Sequence, residues 1–335
     1  DKMSKKVNVA VVGATGKVGE TFRKVLEERN FPIDKIYFFA SAKSAGKEID
    51  FAGKKYKVEE LTEKSFDDKE IDLALFSAGG GTSKKFAPIA ASKGIKVIDN
   101  SSQWRMYEDI ALIVPEVNFD DLKKYSSNII ANPNCSTIQS VLPLRVLDEK
   151  FKIKRIIYST YQAVSGSGYK GVRDLEEGMK GNPPTNYPHP IYNNCLPHID
   201  DFLDNGYTKE EEKMINETRK ILSKPELKVT ATTVRVPVFN SHSVSINIEF
   251  EKSFEMSEIF DELSKVENLV IVDDVKNNKY PMPIDATGSD SVFVGRIRRD
   301  FSVDNGINLW TVADNVRKGA ASNAIQIAEK LFQTK

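Results

Sequence analysis

Residues 7–19 read VNVAVVGATGKVG and indicate the fold class. Residues 7–12 are mainly apolar and β-branched, which is typical of a buried strand. The glycines that follow, Gly13, Gly16 and Gly19, open a helical pattern that continues to Glu28. Between a strand and a helix, such glycines permit a tight turn, approach of a pyrophosphate to the backbone, and close helix packing. The stretch therefore predicts a dinucleotide-binding loop, with the spacing G-x-x-G-x-x-G instead of the commoner G-x-G-x-x-G.

Strands and helices continue to alternate after this loop. Further strands are predicted at 35–40, 72–78, 96–99 and 128–131, and a helix at 83–93. Strands that alternate with helices are typical of a parallel sheet with helices on both faces. We therefore predict an α/β fold whose first part is a Rossmann-type, doubly wound parallel sheet.

The pattern changes after residue 133 to that of a mixed α+β domain. A strand at 155–162 precedes a polar stretch at 165–198 that is rich in glycine and proline. A charged helix is predicted at 208–223, and two strands, which read as antiparallel, at 228–238 and 243–251.

A final amphipathic helix is predicted at 315–332 and is expected to pack on the first domain. We therefore predict a dinucleotide-binding domain formed by residues 1–133 with 315–335. Residues 134–314 form the second domain.

The end of the second predicted strand bears on the choice of cofactor. NAD-binding folds usually place an Asp or Glu there to bind the ribose hydroxyls. This chain has Ser41, Lys43 and Ser44 instead, so no carboxylate would repel a 2′-phosphate. Lys43 taken alone is better interpreted as a solvated surface lysine. Together with the glycine loop, the segment favours NADP.

Composition excludes several classes of function. The 335 residues carry 48 Lys and Arg and 48 Asp and Glu, so no net charge favours nucleic acid or an anionic membrane. Cys135 and Cys195 are the two cysteines, too few for a disulfide framework, which fits a reducing cytoplasm. No apolar run approaches the ~18 residues of a membrane span, and the first residues lack a signal-peptide core. We expect neither a nucleic-acid nor a membrane partner, and no metal site.

Cys135 lies in the sequence Asn132-Pro133-Asn134-Cys135, between a predicted strand and a predicted helix. Asn134 is a favourable N-cap residue, which would place the thiol in the first helical turn. The unpaired N–H groups and the helix dipole favour an anion there, so the pKa of such a thiol is lowered. A buried structural cysteine is the alternative. The context predicts a nucleophile, whereas Cys195 lacks such a setting.

Four other segments carry polar groups that structure alone does not require. Arg105 follows a strand end and is a candidate anion clamp, and Gln162 ends the strand after the cysteine helix. Arg235 lies within an apolar strand, where a charge is costly unless it meets an anion. His242 is a candidate proton shuttle for a thiol, with a satisfied turn histidine as the alternative. The helix that begins near Glu210 carries charges that are more often a solvated face.

Taken together, four motifs resemble the aspartate-β-semialdehyde dehydrogenase family. They are GATG at 13–16, SAKSAG at 41–46, NPNC at 132–135, and the segment from Arg235 to His242. The resemblance extends from about residue 7 to 330. It implies NADP-dependent reductive dephosphorylation of L-aspartyl-4-phosphate to the semialdehyde, towards lysine, threonine, methionine and diaminopimelate. It also implies that residues 134–314 are a catalytic and dimerisation domain of a homodimer or homotetramer.

The resemblance also implies roles for individual residues. Cys135 would be the nucleophile, His242 the acid/base, and Gln162 would orient the acyl intermediate. Arg235 would bind the substrate α-carboxylate and Glu210 its amino group. The remaining expected ligands are Arg105, Asn134 and Lys213 for phosphate, and Gly13, Thr15, Gly16, Lys17, Val18, Ser41, Lys43, Ser44, Ser165, Gly166 and Asn315 for the cofactor.

Two other functions remain open at this point. An N-acetyl-γ-glutamyl-phosphate reductase would share the fold and the thiol chemistry, but its substrate amine is uncharged. A carboxylate such as Glu210 beside that amine would serve no purpose. A dinucleotide-binding redox sensor would use a reactive Cys135 without turnover, but it leaves Arg105, Arg235 and His242 unexplained.

Overall fold

The structure, a computed structural model, describes residues 5–333 and divides into two units. The first unit comprises the chain through Pro133 and the segment from Ala320 onward, and the second comprises Asn134–Gly319. The chain thus returns to the first unit at Ala320, later than the predicted residue 315.

The first unit contains the predicted parallel sheet. Its strands are β1 (Val7–Val12), β2 (Ile33–Ala40), β5 (Glu59–Glu60), β6 (Leu73–Phe76), β7 (Lys96–Asp99), β8 (Ala111–Leu112) and β9 (Ile129–Ala131), with a hairpin formed by β3 (Glu48–Phe51) and β4 (Lys54–Lys57). The sheet order is β5-β2-β1-β6-β7-β9-β8, and all of these neighbours pair in parallel. The strand order reverses at β1, the position at which doubly wound sheets bind ligands. The predicted Rossmann-type fold is confirmed.

Three helices of this unit are α1 (Lys17–Glu28), α2 (Gly80–Ser92) and α3 (Pro115–Asn118). Phe22 and Val25 of α1 pack in one apolar cluster with Val9 and Val11 of β1. Helix α2 begins at Gly80, earlier than the predicted Ser83, because the glycine run that ends β6 also opens the helix. Gly79 has φ +85°, a conformation that glycine adopts without strain.

The second unit contains a mixed six-stranded sheet. Its strands are β10 (Ile153–Gln162), β11 (Lys228–Arg235), β12 (His242–Phe250), β13 (Leu269–Ile271), β14 (Val292–Arg299) and β15 (Gly306–Ala313), in the order β11-β10-β12-β15-β14-β13. The two strands predicted as antiparallel do run in opposite directions, but they do not pair. Strand β10 lies between them, parallel to β11 and antiparallel to β12.

The helices of the second unit are α4 (Cys135–Val141), α5 (Leu144–Phe151), α6 (Tyr169–Met179), α7 (Lys209–Ile221), α8 (Met256–Ser264) and α9 (Pro283–Ala286). One continuous helix was expected after Cys135. The structure has two, because Pro143 lacks the N–H that would continue α4 and its ring clashes with the preceding turn. Helix α6 was not predicted within 165–198, since Gly171 and Gly178 weaken its helical signal.

The final helix, α10 (Ser322–Leu331), follows a π-helical turn at Arg317–Ala321. Ala324, Ile325 and Ala328 join the apolar cluster of β1 and α1, so this helix completes the core of the first unit. Among residues 5–333, no helix has the length and apolar character that crossing a membrane requires.

Candidate active site

The glycine loop follows β1 in the first unit. Gly13 has φ +85°, and a Cβ there would lie 2.1 Å from the carbonyl oxygen of Ser77. A Cβ at Gly19 would lie 2.0 Å from the carbonyl oxygen of Gly13, so neither position accepts a side chain. At Gly16 the nearest atom would be 3.7 Å away. Gly13 and Gly19 therefore shape the loop, and Gly16 leaves room for a ligand to approach.

A cleft of about 430 Å³ opens beside this loop. Its lining includes Gly13, Thr15, Gly16, Ser41, Ser77, Ala78, Thr82 and Phe86, with no carboxylate among the lining residues. Gly16 is the N-cap of α1 and supplies no capping side chain, so Lys17 and Val18 begin the helix with N–H groups that suit a phosphate. The lining therefore fits a dinucleotide.

The predicted 2′-phosphate segment lies at the same cleft. Ser41 is part of the lining, and the hydroxyl groups of Thr15 and Ser44 are 3.3 Å apart, which joins the segment to the glycine loop. Lys43 lies between Ser41 and Ser44 in the chain and is exposed, so its charge is available to an anion at the surface.

Arg105 also belongs to the first unit. It is buried, and its Nε donates to the carbonyl oxygen of Asn132 at 2.9 Å. Its Nη2 donates to the carbonyl oxygen of Asn100 at 3.1 Å. The ends of β7 and β9 thereby fix the guanidinium in place.

In the second unit, Cys135 is partly exposed at the first position of α4, as predicted. Asn134 is the N-cap residue, but its side chain makes no capping bond to α4. Its Nδ2 instead donates to Glu210 at 3.3 Å, and its Oδ1 accepts from the thiol at 3.8 Å. The predicted N-cap position of Asn134 is confirmed, but its amide contacts the carboxylate and the thiol instead of the backbone of α4.

His242 begins β12 and is fully buried, with Nε2 3.3 Å from Sγ of Cys135. The backbone N–H of Ala163 donates to its Nδ1 at 2.9 Å. Because Nδ1 accepts that bond, the proton of the neutral ring lies on Nε2 and faces the sulfur. Burial, and secondly the positive charge of Arg235, hold the pKa of His242 well below its usual range. The ring is therefore neutral at pH 7 and can donate a hydrogen bond to a thiolate.

Glu210 and Gln162 form a buried polar pair beside Asn134. Gln162 donates to Glu210 at 2.9 Å and accepts from Thr160 at 2.8 Å. Glu211, the other candidate on this helix, forms the capping box of α7 with Thr208. The geometry thus places Glu210, not Glu211, beside Asn134 and Gln162.

Arg235 ends β11, where it is 6% exposed. Its Nη1 donates to the carbonyl oxygen of Ala163 at 2.7 Å. A Cβ at Gly166 would lie 3.0 Å from this Nη1 and 3.2 Å from Nε2 of His242. Because Ala163 and Gly166 contact both side chains, the buried guanidinium and the imidazole belong to one site.

The remaining predicted residues of this unit lie in different settings. Lys213 pairs with Asp200 at 2.8 Å, so a phosphate would have to compete with that carboxylate. The amide of Asn315 accepts from the backbone N–H of Ser241 at 2.8 Å and donates to Ser165 at 3.0 Å. Asn315 thus fixes the residue that precedes His242. Among residues 5–333, no group of His, Cys, Asp and Glu is arranged to hold a metal ion.

Comparison with known proteins matches the two units to two domains of one enzyme family. The family model described as "Semialdehyde dehydrogenase, NAD binding domain" matches residues 8–125, and the model "Semialdehyde dehydrogenase, dimerisation domain" matches residues 144–318. An aspartate-semialdehyde dehydrogenase from Aquifex aeolicus is 54% identical, over 97% of this chain and 98% of the relative. The chain belongs to the aspartate-semialdehyde dehydrogenase family.

Solved structures of the aspartate-semialdehyde dehydrogenase family have the same fold. Aspartate semialdehyde dehydrogenase II from Vibrio cholerae, described as complexed with ASA, has a TM-score of 0.92 and 45% identity, covering 98% of this chain and 99% of that chain. The enzyme from Candida albicans, described as with NADP, has a TM-score of 0.79 and 25% identity, with 98% coverage of each chain. The resemblance seen in the sequence motifs is confirmed.

Two groups at this aspartate-semialdehyde dehydrogenase site were missed by sequence reasoning. Glu217 is buried and accepts the backbone N–H of Asn134 at 2.7 Å, which anchors the start of α4. It lies seven residues after Glu210 on α7 and therefore on the same helix face, a spacing that could have indicated it. The backbone of Ala163 contacts both His242 and Arg235 and has no signal in residue type.

Proposed function

We propose that this protein is an NADP-dependent aspartate-semialdehyde dehydrogenase. It converts L-aspartyl-4-phosphate to L-aspartate-4-semialdehyde through a thioester on Cys135. The observation that carries the proposal is the Sγ–Nε2 distance of 3.3 Å, with Arg235 buried in the same site. The family comparisons favour this function over N-acetyl-γ-glutamyl-phosphate reduction.

The chemistry follows from the positions of these groups. The thiolate of Cys135 attacks the acyl-phosphate carbon, and collapse of the tetrahedral species expels phosphate and leaves a thioester. NADPH, when bound, supplies the hydride that reduces this thioester. The proton on Nε2 of His242 stabilises the oxyanion that develops at the same carbon, as does the N-terminus of α4. Loss of the thiolate then releases the aldehyde.

We assign the surrounding residues by charge and reach. Arg235 binds the α-carboxylate and Glu210 binds the α-ammonium. Gln162, whose side chain is held by its hydrogen bond to Glu210, orients the acyl group. Arg105 in the first unit, and Asn134 and Lys213 in the second, are proposed ligands of phosphate.

The cofactor contacts are divided in the same way between the two units. In the first, Gly13, Thr15, Gly16, Lys17, Val18, Ser41, Lys43 and Ser44 are the proposed contacts; in the second, they are Ser165, Gly166 and Asn315.

The protein is an oligomer according to its match to a dimerisation domain, and we propose a homodimer or a homotetramer. We also propose a cytoplasmic location, where a reducing environment would keep the nucleophilic thiol of Cys135 reduced.

The activity is tested in the reverse direction. Purified protein is mixed with aspartate semialdehyde, phosphate and NADP, and the rise in nicotinamide absorbance is followed. Reduction that requires both the aldehyde and phosphate is the expected result. Binding of NADP without turnover would instead identify a redox sensor.

Lys43→Glu is expected to change cofactor preference. The new carboxylate would repel the 2′-phosphate, so kcat/KM should fall more with NADP than with NAD. Each cofactor is titrated in wild type and variant, and the two ratios are compared. Lys47→Glu is the matched control, because Lys47 is also exposed but lies farther along the chain from Ser41, which lines the cleft. An unchanged ratio in Lys43→Glu would show that Lys43 does not contact the phosphate.

Arg235→Lys is expected to lower kcat/KM for aspartate semialdehyde at least about tenfold. A guanidinium can hold a carboxylate through two parallel hydrogen bonds, which an ammonium does not reproduce. Charge-assisted bonds contribute roughly 1.5–3 kcal/mol, or about 10- to 150-fold. Alkylation of Cys135 by neutral iodoacetamide should barely change. Arg173→Lys, on the exposed face of α6, is the control, and an intact kcat/KM in Arg235→Lys would make Arg235 a structural charge.

Glu210→Gln should also lower kcat/KM for aspartate semialdehyde, because the ammonium group of the substrate loses its counter-charge. It should also narrow the discrimination against the longer N-acetylated analogue, whose nitrogen is uncharged. Glu212→Gln provides the comparison from the same helical turn. Equal discrimination in the Glu210 variant and wild type would remove Glu210 from the substrate site.

A further inference from the structure

Arg235 is an unusual buried charge. Among the described residues it has no carboxylate partner, and its buried Nε has no hydrogen-bond partner. A buried guanidinium with a single carbonyl acceptor is costly and has rotational freedom about its long side chain. Some other group must therefore hold it in one orientation before an anion arrives.

Tyr187 supplies such a contact. Cζ of Arg235 lies 5.8 Å from the centre of the Tyr187 ring, within the range in which an aromatic face attracts a cation. Burial raises the pKa of the Tyr187 hydroxyl, and the charge of Arg235 opposes that rise, which reflects their proximity. The aromatic contact leaves the charge of the guanidinium uncompensated, unlike a carboxylate partner.

The Tyr187 ring is itself held in place. Its hydroxyl donates to Oγ of Ser167 at 2.8 Å. Gly171 on α6 provides the necessary space, because a Cβ there would lie 2.6 Å from the Tyr187 hydroxyl oxygen. The ring is therefore confined between α6 and the turn at 164–167.

The backbone of Tyr187 is fixed by Asp174 of α6. This buried carboxylate accepts the backbone N–H groups of Thr185 at 3.0 Å, Asn186 at 2.9 Å and Tyr187 at 2.7 Å. Burial raises the pKa of Asp174, but these hydrogen bonds outweigh it and leave the pKa lowered. An ionised acceptor of this kind makes strong, directional bonds and orders the three residues.

We propose that Tyr187, fixed by Asp174, is a positioning residue for Arg235 and thereby a determinant of specificity for substrates with an α-carboxylate. The ring holds the guanidinium so that its remaining N–H groups are available to an anion. This inference rests on the proposed function, in which Arg235 binds the substrate carboxylate.

The test uses two alkylating reagents on the full-length protein. Iodoacetate carries a carboxylate and iodoacetamide does not. The ratio of the iodoacetate rate to the iodoacetamide rate at Cys135 therefore reports attraction of an anion, without turnover. Tyr187→Leu should lower this ratio by about 2- to 30-fold, the range expected for loss of a cation–π contact. Tyr187→Phe keeps the ring and should keep the ratio. Tyr192→Leu, an exposed tyrosine nearby, is the matched control.

Turnover gives a second measurement. In Tyr187→Leu, the KM for aspartate semialdehyde should rise by a similar factor, while activity with 3-aminopropanal, which lacks the α-carboxylate, should stay at the wild-type level. If Tyr187→Leu does not fold, Asp174→Asn keeps the ring and leaves one acceptor oxygen in place of two for the backbone N–H groups of residues 185–187. It should shift the ratio in the same direction.

The outcomes separate the two levels of the proposal. Arg235→Met should lower the reagent ratio; an unchanged ratio would overturn the carboxylate assignment and the positioning role with it. If Arg235→Met lowers the ratio but both Tyr187→Leu and Asp174→Asn leave it intact, only the positioning role is overturned. If Tyr187→Leu loses activity equally with aspartate semialdehyde and with 3-aminopropanal, Tyr187 has only a structural role.

Discussion

Replacing Cys135 by alanine is expected to lower kcat by at least about 10⁴-fold, because covalent catalysis has no other nucleophile at this site. Binding of NADP should survive in the variant, since the cleft beside the glycine loop does not include Cys135. The measurement combines the aldehyde- and phosphate-dependent reduction of NADP with a cofactor-binding titration.

Cys195 provides the internal control for this prediction. It is exposed, whereas Cys135 is only partly exposed, so accessibility alone would favour labelling of Cys195. A thiolate supported by the start of α4 and by Nε2 of His242 should reverse that order. Iodoacetamide at neutral pH should label Cys135 first, and aspartate semialdehyde should protect it. Faster labelling of Cys195, or full activity in Cys135→Ala, would remove the nucleophile assignment.

The second large effect is expected from His242→Gln. The glutamine can accept the N–H of Ala163 but does not reproduce the imidazole N–H that faces the sulfur and the developing oxyanion, so kcat should fall about 10²- to 10³-fold. His189→Gln, at an exposed position, should leave kcat unchanged. An unchanged kcat in His242→Gln would mean that His242 does not stabilise the oxyanion.

The lowered pKa of His242 also gives a dependence of stability on pH. The unfolded chain binds a proton at this residue below about pH 6.5, while the folded chain resists it. On acidification below that value, the free energy of unfolding should therefore fall in wild type, and this contribution should be missing in His242→Gln. Denaturant titrations of both proteins between pH 7 and pH 5 measure the difference. If the free energy of unfolding depends on pH in the same way in both proteins, the pKa of His242 is not lowered.

Local patterns predicted the features that depend on nearby residues. The strand before Gly13 and the helix after it follow from burial and glycine stereochemistry within residues 7–28. The position of Cys135 follows from a proline and an asparagine beside it. Arg235 was identified because a charge within an apolar strand needs a reason in any fold.

Long-range contacts account for what the sequence did not predict. The tautomer of His242 is set by a backbone N–H that lies 79 residues earlier, and any residue type except proline could supply it. Glu217 lies on a charged helix that reads as solvated, yet it anchors Asn134 across 83 residues. Helix α6 was hidden by its own glycines, one of which makes room for Tyr187.

The first unit is built from two segments that lie far apart in the chain, and this affects how it forms during synthesis on the ribosome. Its sheet emerges first, but the apolar surface beneath Ala324 and Ile325 stays uncovered until the last helix is made. Arg29 likewise waits for Glu329, its partner at 2.8 Å. Nascent chains with exposed apolar surface bind chaperones and aggregate. The nucleotide-binding half, although translated first, is therefore the half that matures last.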